Sequence, residues 1–423
     1  MVKLLIIADD FTGALDTGVQ FSASGAATRV VVSRGCDYEK TNSGVEVLVQ
    51  DAETRHLSPG QAYDIIVEIA RRAQKAGIPY LYKKTDSALR GNIGSELAAM
   101  LAGTKEQRLH FVPAFPKQGR TTIDGIHYVN GVPVAQSPFG KDPFEPVLVS
   151  DVSQIIAAQT PTAVHKVTLQ ASAPHQGILL YDAVEDGDLT AIANCLEERG
   201  ELHLLAGCAG FAAMLPALMG LSGHIPTLPS FDKGLLVACG SVNPITQRQI
   251  AAAAQQGFTH IRLTAHQKLK PGWPETQEGK ETIKQWVKLC EANEDVIIDT
   301  NELAEDLEEL LPTGRNEAQA DLSLEQLRTE VAKRIGCLVK KLLDSGVKKN
   351  LMITGGDTLL AFMQQIGCDV LEPICELSGG VVLSRLEYCG QTFQLISKSG
   401  GFGGERLLTE LSAKIQGMDF NGM

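Results

Sequence analysis

Short apolar runs alternate with amphipathic stretches along most of the chain, the order expected of an α/β protein. The first series reads as strands at residues 3–8, 27–32, 45–49, 80–83, 109–112, 177–182 and 203–206. A polar stretch with two prolines follows at 223–230 and reads as a linker. A second series then begins, with strands expected at 234–239, 259–263, 295–299, 350–354 and 392–397. Helices are expected at 93–101, 209–219, 322–345 and 405–414. The pattern predicts two α/β lobes, each with a mostly parallel sheet flanked by helices. Residues 1–225 form the first domain and 232–423 the second. Segments 268–284 and 311–320, rich in polar residues, read as exposed insertions, and the acidic stretch 301–330 as a solvated helical face.

Composition narrows the class. The chain has 423 residues, 44% of them hydrophobic and 21% charged, which is ordinary for a globular protein. A net charge of −12 disfavours nucleic acid and anionic membrane as partners. Nine cysteines, with no CxxC, fit a reducing compartment and not a disulfide scaffold, so a cytoplasmic location is expected. The N-terminal apolar run is too short for a signal peptide. The apolar run 204–221 is interrupted by Gly207, Gly210, Pro216 and Gly220 and reads as a buried strand, turn and helix instead of a membrane span. The acidic total hides a basic window: residues 83–120 hold Lys83, Lys84, Arg90, Lys105, Arg108, Lys117 and Arg120. That concentration predicts a small-anion site.

In the first half, chemistry-bearing residues cluster where strands end, which is where open α/β sheets bind ligands. The first strand runs into Asp9 and Asp10 ahead of a helix. One aspartate is expected to cap that helix, with Thr12 as a competing cap, while Asp10 faces the ligand. The strand at 80–83 runs into Lys84, Thr85, Asp86 and Ser87, with Arg90 close behind; Arg55 occupies a similar strand-end position. Lysine and arginine suit a carboxylate or phosphate. Residues 112–128 predict an extended, ordered loop whose Lys117 and Arg120 close over an anion.

In the second half, three strand-to-helix turns are rich in small residues. They hold Gly240 and Ser241, then Gly355, Gly356, Asp357 and Thr358, then Gly400, Gly401, Gly403 and Gly404. Asn243 and Pro244 are expected as N-cap and first residue of a helix. Such turns turn backbone N–H groups toward phosphate, and three in one domain predict a nucleotide site. Lys398 is a candidate for neutralising phosphate. GxxxxGK[ST], HExxH and GxSxG are absent, and 401–406 fails GxGxxG at its last position, which disfavours a dehydrogenase.

Together, Ile7-Ala-Asp-Asp-Phe-Thr-Gly-Ala14, Lys84-Thr-Asp-Ser-Ala-Leu-Arg-Gly-Asn-Ile-Gly94, Pro113-Ala-Phe-Pro116, Gly355-Gly-Asp-Thr358 and Lys398-Ser-Gly-Gly-Phe-Gly403 resemble the four-carbon acid sugar kinase family. The resemblance implies an N-terminal lobe that binds the sugar acid, a C-terminal lobe that binds ATP, and an active site in the cleft between them. It implies substrate contacts at Asp10, Arg55, Lys84, Thr85, Asp86 and Ser87, with Asp10 ahead of Asp86 as the carboxylate that orients or deprotonates the acceptor. It implies ATP contacts at Ser241, Gly355, Gly356, Asp357, Thr358, Gly400, Gly401 and Gly403, with Mg²⁺ as the metal and its ligands unassigned. The expected reaction is transfer from ATP to the terminal (4-) hydroxyl of D-threonate, with D-erythronate or a 3-oxo-tetronate as the near alternatives and a non-catalytic sensor as a different class. Cys208 stands where the family's pattern leads one to expect serine. A homo-oligomer is compatible with the sequence, which carries no pattern that fixes oligomeric state.

Overall fold

The computed structural model describes residues 2–33, 35–38, 44–142, 144–169, 174–227, 229–300 and 324–417. The chain forms two compact units, Met1–Thr227 with Val370–Glu376, and Leu228–Asp369 with Leu377–Met423. The return of 370–376 to the first unit has no counterpart in the sequence reading.

The main sheet of the first unit contains β1 (Leu4–Ala8), β2 (Thr28–Val31), β3 (Val47–Asp51), β4 (Tyr80–Lys84), β5 (Arg108–Val112), β9 (Val164–Val167), β10 (Gly177–Tyr181) and β11 (Leu204–Gly207). Their order is β2-β3-β1-β4-β11-β5-β10-β9, and every pairing among them is parallel. β1 is buried along its whole length, as the uniformly apolar Leu-Leu-Ile-Ile-Ala run requires in a sheet covered on both faces. The helices are α1 (Phe11–Ser22), α2 (Pro59–Lys75), α3 (Ile93–Gly103), α4 (Val152–Ala157), α5 (Asp186–Glu198) and α6 (Ala209–Ala212). Because β3 lies on one side of β1 and β4 on the other, strand order reverses between β1 and β4. A parallel sheet opens a crevice at the carboxyl ends of such a pair. At the far edge of β2, Val370 and Leu371 pair antiparallel with Val31 and Val30.

A small antiparallel sheet, β6 (Arg120–Ile123), β7 (Ile126–Val129) and β8 (Val132–Pro133), occupies the segment expected to be an extended loop. Asp124 and Gly125 turn the β6–β7 hairpin with φ of 51° and 75°. That Asp-Gly pair is the local signal of a two-residue hairpin.

The second unit has β12 (Leu235–Cys239), β13 (Thr259–Arg262), β14 (Val296–Asp299), β15 (Asn350–Thr354), β17 (Val381–Tyr388) and β18 (Gln391–Lys398) in the order β13-β14-β12-β15-β18-β17. Only the β17–β18 pair is antiparallel among these. β16 (Val370–Ser378) precedes β17 in the chain. The helices are α7 (Pro244–Gln255), α8 (Ala265–Leu269), α9 (Gln277–Ala292), α10 (Leu324–Asp344), α11 (Gly356–Ile366) and α12 (Leu407–Gly417). Here strand order reverses between β12 and β15.

Two sequence expectations change. Segment 268–284 is not an exposed insertion: Lys268 is buried and donates to the Thr300 carbonyl at 3.0 Å, and Trp273 is fully buried beside Trp286. The helix expected at 209–219 stops at Ala212, short of Pro216. Segment 311–320 and most of the acidic stretch lie outside the described residues. Among the described residues, no helix is long and apolar enough to cross a membrane. No disulfide joins any of the nine cysteines.

Candidate functional site

At the β1/β4 crevice, the carboxylates that end β1 meet the cations that follow β3 and β4. Arg55 donates from Nε to Asp9 Oδ2 at 2.7 Å and from Nη2 to Asp10 Oδ1 at 2.6 Å. Lys84 Nζ lies 3.0 Å from Asp9 Oδ1 and 2.9 Å from Asp10 Oδ1. Asp86 accepts from Arg90 Nε and Nη2 at 3.0 and 2.9 Å and lies 3.4 Å from Arg55. Asn92 fixes the Arg55 loop by donating to the carbonyls of Thr54 and Leu57, both at 2.8 Å.

The expected division of labour between the two aspartates does not hold. Asp10 caps α1, accepting from Gly13 N at 3.2 Å, and it is also the more open of the pair. Thr12 does not compete for the cap but donates to Asp10 Oδ2 at 2.8 Å. Burial alone would raise the Asp10 pKa. The charges of Arg55 and Lys84 overcome it and hold the carboxyl well below its usual range. Asp86 behaves alike: burial is outweighed by Arg90 and Arg55. Both therefore stay ionised, can accept hydrogen bonds from hydroxyl groups, and are weak bases. Thr85 is fully buried, its N–H donating to the Gly207 carbonyl at 2.8 Å. Ser87 is half-buried, and its carbonyl accepts from His127 Nε2 at 2.9 Å.

The basic window does not act as a unit. Lys84 and Arg90 join the cluster, but Lys83 is buried against Glu96 at 2.8 Å, Arg108 pairs with Glu201 at 2.7 Å, and Lys117 reaches out to Asp186 at 3.2 Å. Arg120 is buried, with its guanidinium 5.9 Å from the Phe139 ring centroid. With Asp142 3.2 Å from Arg90 Nη1, the result is a nearly balanced network of four carboxylates and three cations. It offers acceptors for hydroxyls as well as donors for a carboxylate, which suits a polyhydroxy acid better than a bare anion.

In the second unit the three expected turns do converge. Cys239, Thr354 and Lys398 are register partners across β12, β15 and β18, so the turns after them leave from one row of strand ends. Gly355 has φ 104°, a conformation that favours glycine, and it starts α11. Asn243 caps α7, accepting from Ile245 N at 2.9 Å, with Pro244 next. Asn243 N donates to Ser241 Oγ at 3.3 Å. Lys398 differs from its expected role. It is buried beneath the glycine loop and donates to Thr246 Oγ1 at 3.1 Å and to the carbonyls of Ser399 and Gly400 at 3.0 and 3.4 Å. Burial lowers its pKa to about 8. Its contacts shape the loop from within.

Sequence reasoning missed the residues that hold that loop from α7. Thr246 Oγ1 donates to the Gly400 carbonyl at 3.1 Å, and Gln249 Nε2 donates to the Phe402 and Gly404 carbonyls at 3.0 Å each. The signal was polar residues on the inward face of a helix. It also missed Asp16, a carboxylate inside the apolar face of α1. Asp16 is only 7% exposed, and its Oδ1 is buried without a hydrogen-bond partner among the described residues. Burial, reinforced by Glu376, pushes its pKa up to about 7. Cys208, the departure from the family's pattern, is buried, and its thiol donates toward the Pro113 and Ala114 carbonyls at 3.4 Å.

Comparison with known proteins meets this geometry at both crevices. A model of a sugar-binding N-terminal domain matches residues 4–215, and a model of a nucleotide-binding C-terminal domain matches residues 236–408. The D-threonate kinase of Salmonella typhimurium (strain LT2) is 30% identical over 99% of each chain. The D-erythronate kinase of Heliobacterium modesticaldum is 26% identical over 88% of this chain and 87% of that one. A crystal structure of a Salmonella typhimurium LT2 protein shares the fold with a TM-score of 0.76 at 20% identity, covering 98% of this chain and 99% of that one. With both domains matched in order over most of its length, the chain belongs to the four-carbon acid sugar kinase family.

Proposed function

We propose that the protein transfers the γ-phosphoryl group of ATP to the 4-hydroxyl of a four-carbon sugar acid, with D-threonate as the first substrate to test. The observation that carries this reading is the Asp9–Asp10–Arg55–Lys84 network at the β1/β4 crevice. Its cations suit the substrate carboxylate, and its ionised aspartates suit the hydroxyls. The 30%-identical D-threonate kinase supports the choice of acid. D-Erythronate and 3-oxo-tetronates are the alternatives within the class.

In this reading Arg55, Lys84 and Ser87 receive the sugar acid, and Asp10 and Asp86 orient it. Thr85 contributes through its place in the strand-end backbone. Ser241, Gly355, Gly356, Asp357, Thr358, Gly400, Gly401 and Gly403 receive the nucleotide. Phosphoryl transfer asks mainly for positioning and charge neutralisation, so weakly basic aspartates are no obstacle to it. Among the described residues no group of three His, Cys, Asp or Glu side chains could hold a metal ion. That donor set fits a Mg²⁺ ion that enters on the ATP phosphates, which needs only one or two protein carboxylates. Asp357, nearly half exposed at the start of α11 and paired through Oδ2 with Arg328 at 3.2 Å, would supply one in exchange for that pair. Such an ion would neutralise developing charge on the phosphates.

Purified protein is mixed with ATP, Mg²⁺ and each of D-threonate, L-threonate, D-erythronate and a 3-oxo-tetronate, and ADP release is followed. The reading expects release that depends on one or more of the D-acids or the oxo acid. Binding of an acid without ADP release would favour a sensor.

A further inference from the structure

The carboxylates at the β1/β4 crevice differ in how far they are already engaged. Asp9 and Asp10 each hold both Arg55 and Lys84, and Asp86 holds Arg90. Asp51, at the end of β3, accepts from Glu53 N at 3.1 Å through Oδ1. Its Oδ2 is also buried and unmatched among the described residues, but its strongest charged neighbour is Glu53, two residues on, whereas Lys84 and Asp10 act on Asp16. Asp16 has a buried Oδ1 with no partner among the described residues. A buried polar atom left unmatched costs stability, so its persistence calls for an explanation.

Its position supplies one. The Lys84 ammonium rests directly on α1 at Gly13: a methyl group at that position would overlap Lys84 Nζ and Asp10 Oδ1. Asp16 follows Gly13 by three residues and so lies on the same helix face, one turn further in. The groups whose charges act on it sit on four different segments of the first unit. They are Lys84 at the end of β4, Asp10 at the cap of α1, Arg120 on β6 and Glu376 in the 370–376 segment. The Cys208 thiol ahead of α6 also feels its charge. Burial is the main force against a charge on Asp16; Glu376 and Asp10 add to it, and Lys84 and Arg120 offset it only in part, with no cation bonded to Asp16 among the described residues.

We propose that Asp16 is the proton acceptor for the sugar-acid hydroxyl that becomes phosphorylated, while Asp10 and Asp86 only orient the substrate. This rests on the kinase reading above. The hydroxyl oxygen forms the new bond to Pγ as the bond from Pγ to the β,γ-bridging oxygen of ATP breaks. The hydroxyl proton passes to the Asp16 carboxylate and from there to solvent after ADP leaves. A carboxyl whose pKa stands near 7 is matched to that task at neutral pH, as one held below the usual carboxylate range is not.

The test compares the wild type with Asp16→Asn and Asp10→Asn, measuring kcat, KM for the sugar acid and the pH profile of kcat/KM. Wild-type activity should fall as pH drops below about 7, and this limb should be missing from Asp16→Asn. Asp16→Asn should lose kcat by about 100-fold or more while KM stays within about threefold. Asp10→Asn should instead act chiefly on KM. Folding is checked by thermal melting: Asp16→Asn should melt at or above the wild-type temperature, because it removes an unmatched buried charge, whereas a merely structural Asp16 would lower it. An Asp16→Asn enzyme with kcat within about threefold of wild type, or one that keeps the acid limb, overturns the assignment. A wild type inactive on every acid tested overturns the kinase reading, and this inference with it.

Discussion

The tightest packing at the sugar-acid crevice is the seat of the Lys84 ammonium on α1, and replacing Gly13 by alanine perturbs it directly. Two effects compete. Alanine in place of glycine in a helix is favourable by up to ~1 kcal/mol. The added methyl, however, falls on Lys84 Nζ and Asp10 Oδ1. A lysine tip is ordinarily easy to move, but this one is buried and bound at 3.0 and 2.9 Å to Asp9 and Asp10. Breaking a buried ion pair costs about 3–5 kcal/mol. Arg55 keeps its own hold on both carboxylates, so the lower end applies. The net effect is a loss of about 2 kcal/mol. For a unit of this size that lowers the melting temperature by roughly 4–8 °C. Calorimetry should show the shift, and KM for the sugar acid should rise with it. A Gly13→Ala protein that melts at or above the wild-type temperature would refute the reasoning, since helix propensity would then be the only force at work.

Other substitutions read other parts of the molecule. Arg55→Lys replaces a two-pronged grip on Asp9 and Asp10 with a point charge, so KM for the sugar acid should rise on the order of tenfold with a smaller change in kcat, as steady-state kinetics will report. Lys398→Met removes the anchor of the glycine loop together with a buried ammonium that has no carboxylate partner among the described residues. KM for ATP should rise about tenfold while urea stability holds or improves; loss of both would mean that Lys398 is only structural. Asp16 has a folded-state pKa near 7 against 3.8 for the ordinary group, so the native state binds the extra proton between those values. Its contribution to stability therefore declines as pH rises from about 4 to about 7, by up to about 4 kcal/mol. His110 and His127, lowered to about 4 chiefly by burial, pull the opposite way over the same range. The difference between wild type and Asp16→Asn in melts at pH 4.5 and 7.5 isolates the aspartate: the variant should gain most at the higher pH.

How much of this was legible in the sequence follows from the range of the interactions involved. The expected strands, the Asn243–Pro244 helix start and the three glycine turns are local features, and each appears within a few residues of its expected place, while β9, β16 and β17 have no counterpart among the expected strands. The clustering of Arg55, Lys84 and Asp86 around Asp9 and Asp10 was readable because strand ends in a parallel sheet meet at one edge. What escaped depends on partners far apart in the chain. The basic window dispersed because Glu96, Glu201 and Asp186 each claim one of its cations. Lys398 looks like a phosphate ligand until Thr246 and the Gly400 carbonyl are seen to occupy it. Asp16 looks like one more helical residue until its carboxyl is found buried and unmatched. The 370–376 segment joins the first unit through strand pairing with β2, a tie between residues more than three hundred positions apart that no local pattern records.

The central claim is that this chain phosphorylates the far hydroxyl of a four-carbon sugar acid. Incubation of the purified protein with ATP, Mg²⁺ and D-threonate, followed by ³¹P NMR of the product, tests it most directly. The account predicts a phosphomonoester resonance coupled to the C4 protons, growing in step with ADP. ATP and D-threonate recovered unchanged, with the D-erythronate and 3-oxo-tetronate reactions equally silent, would contradict it.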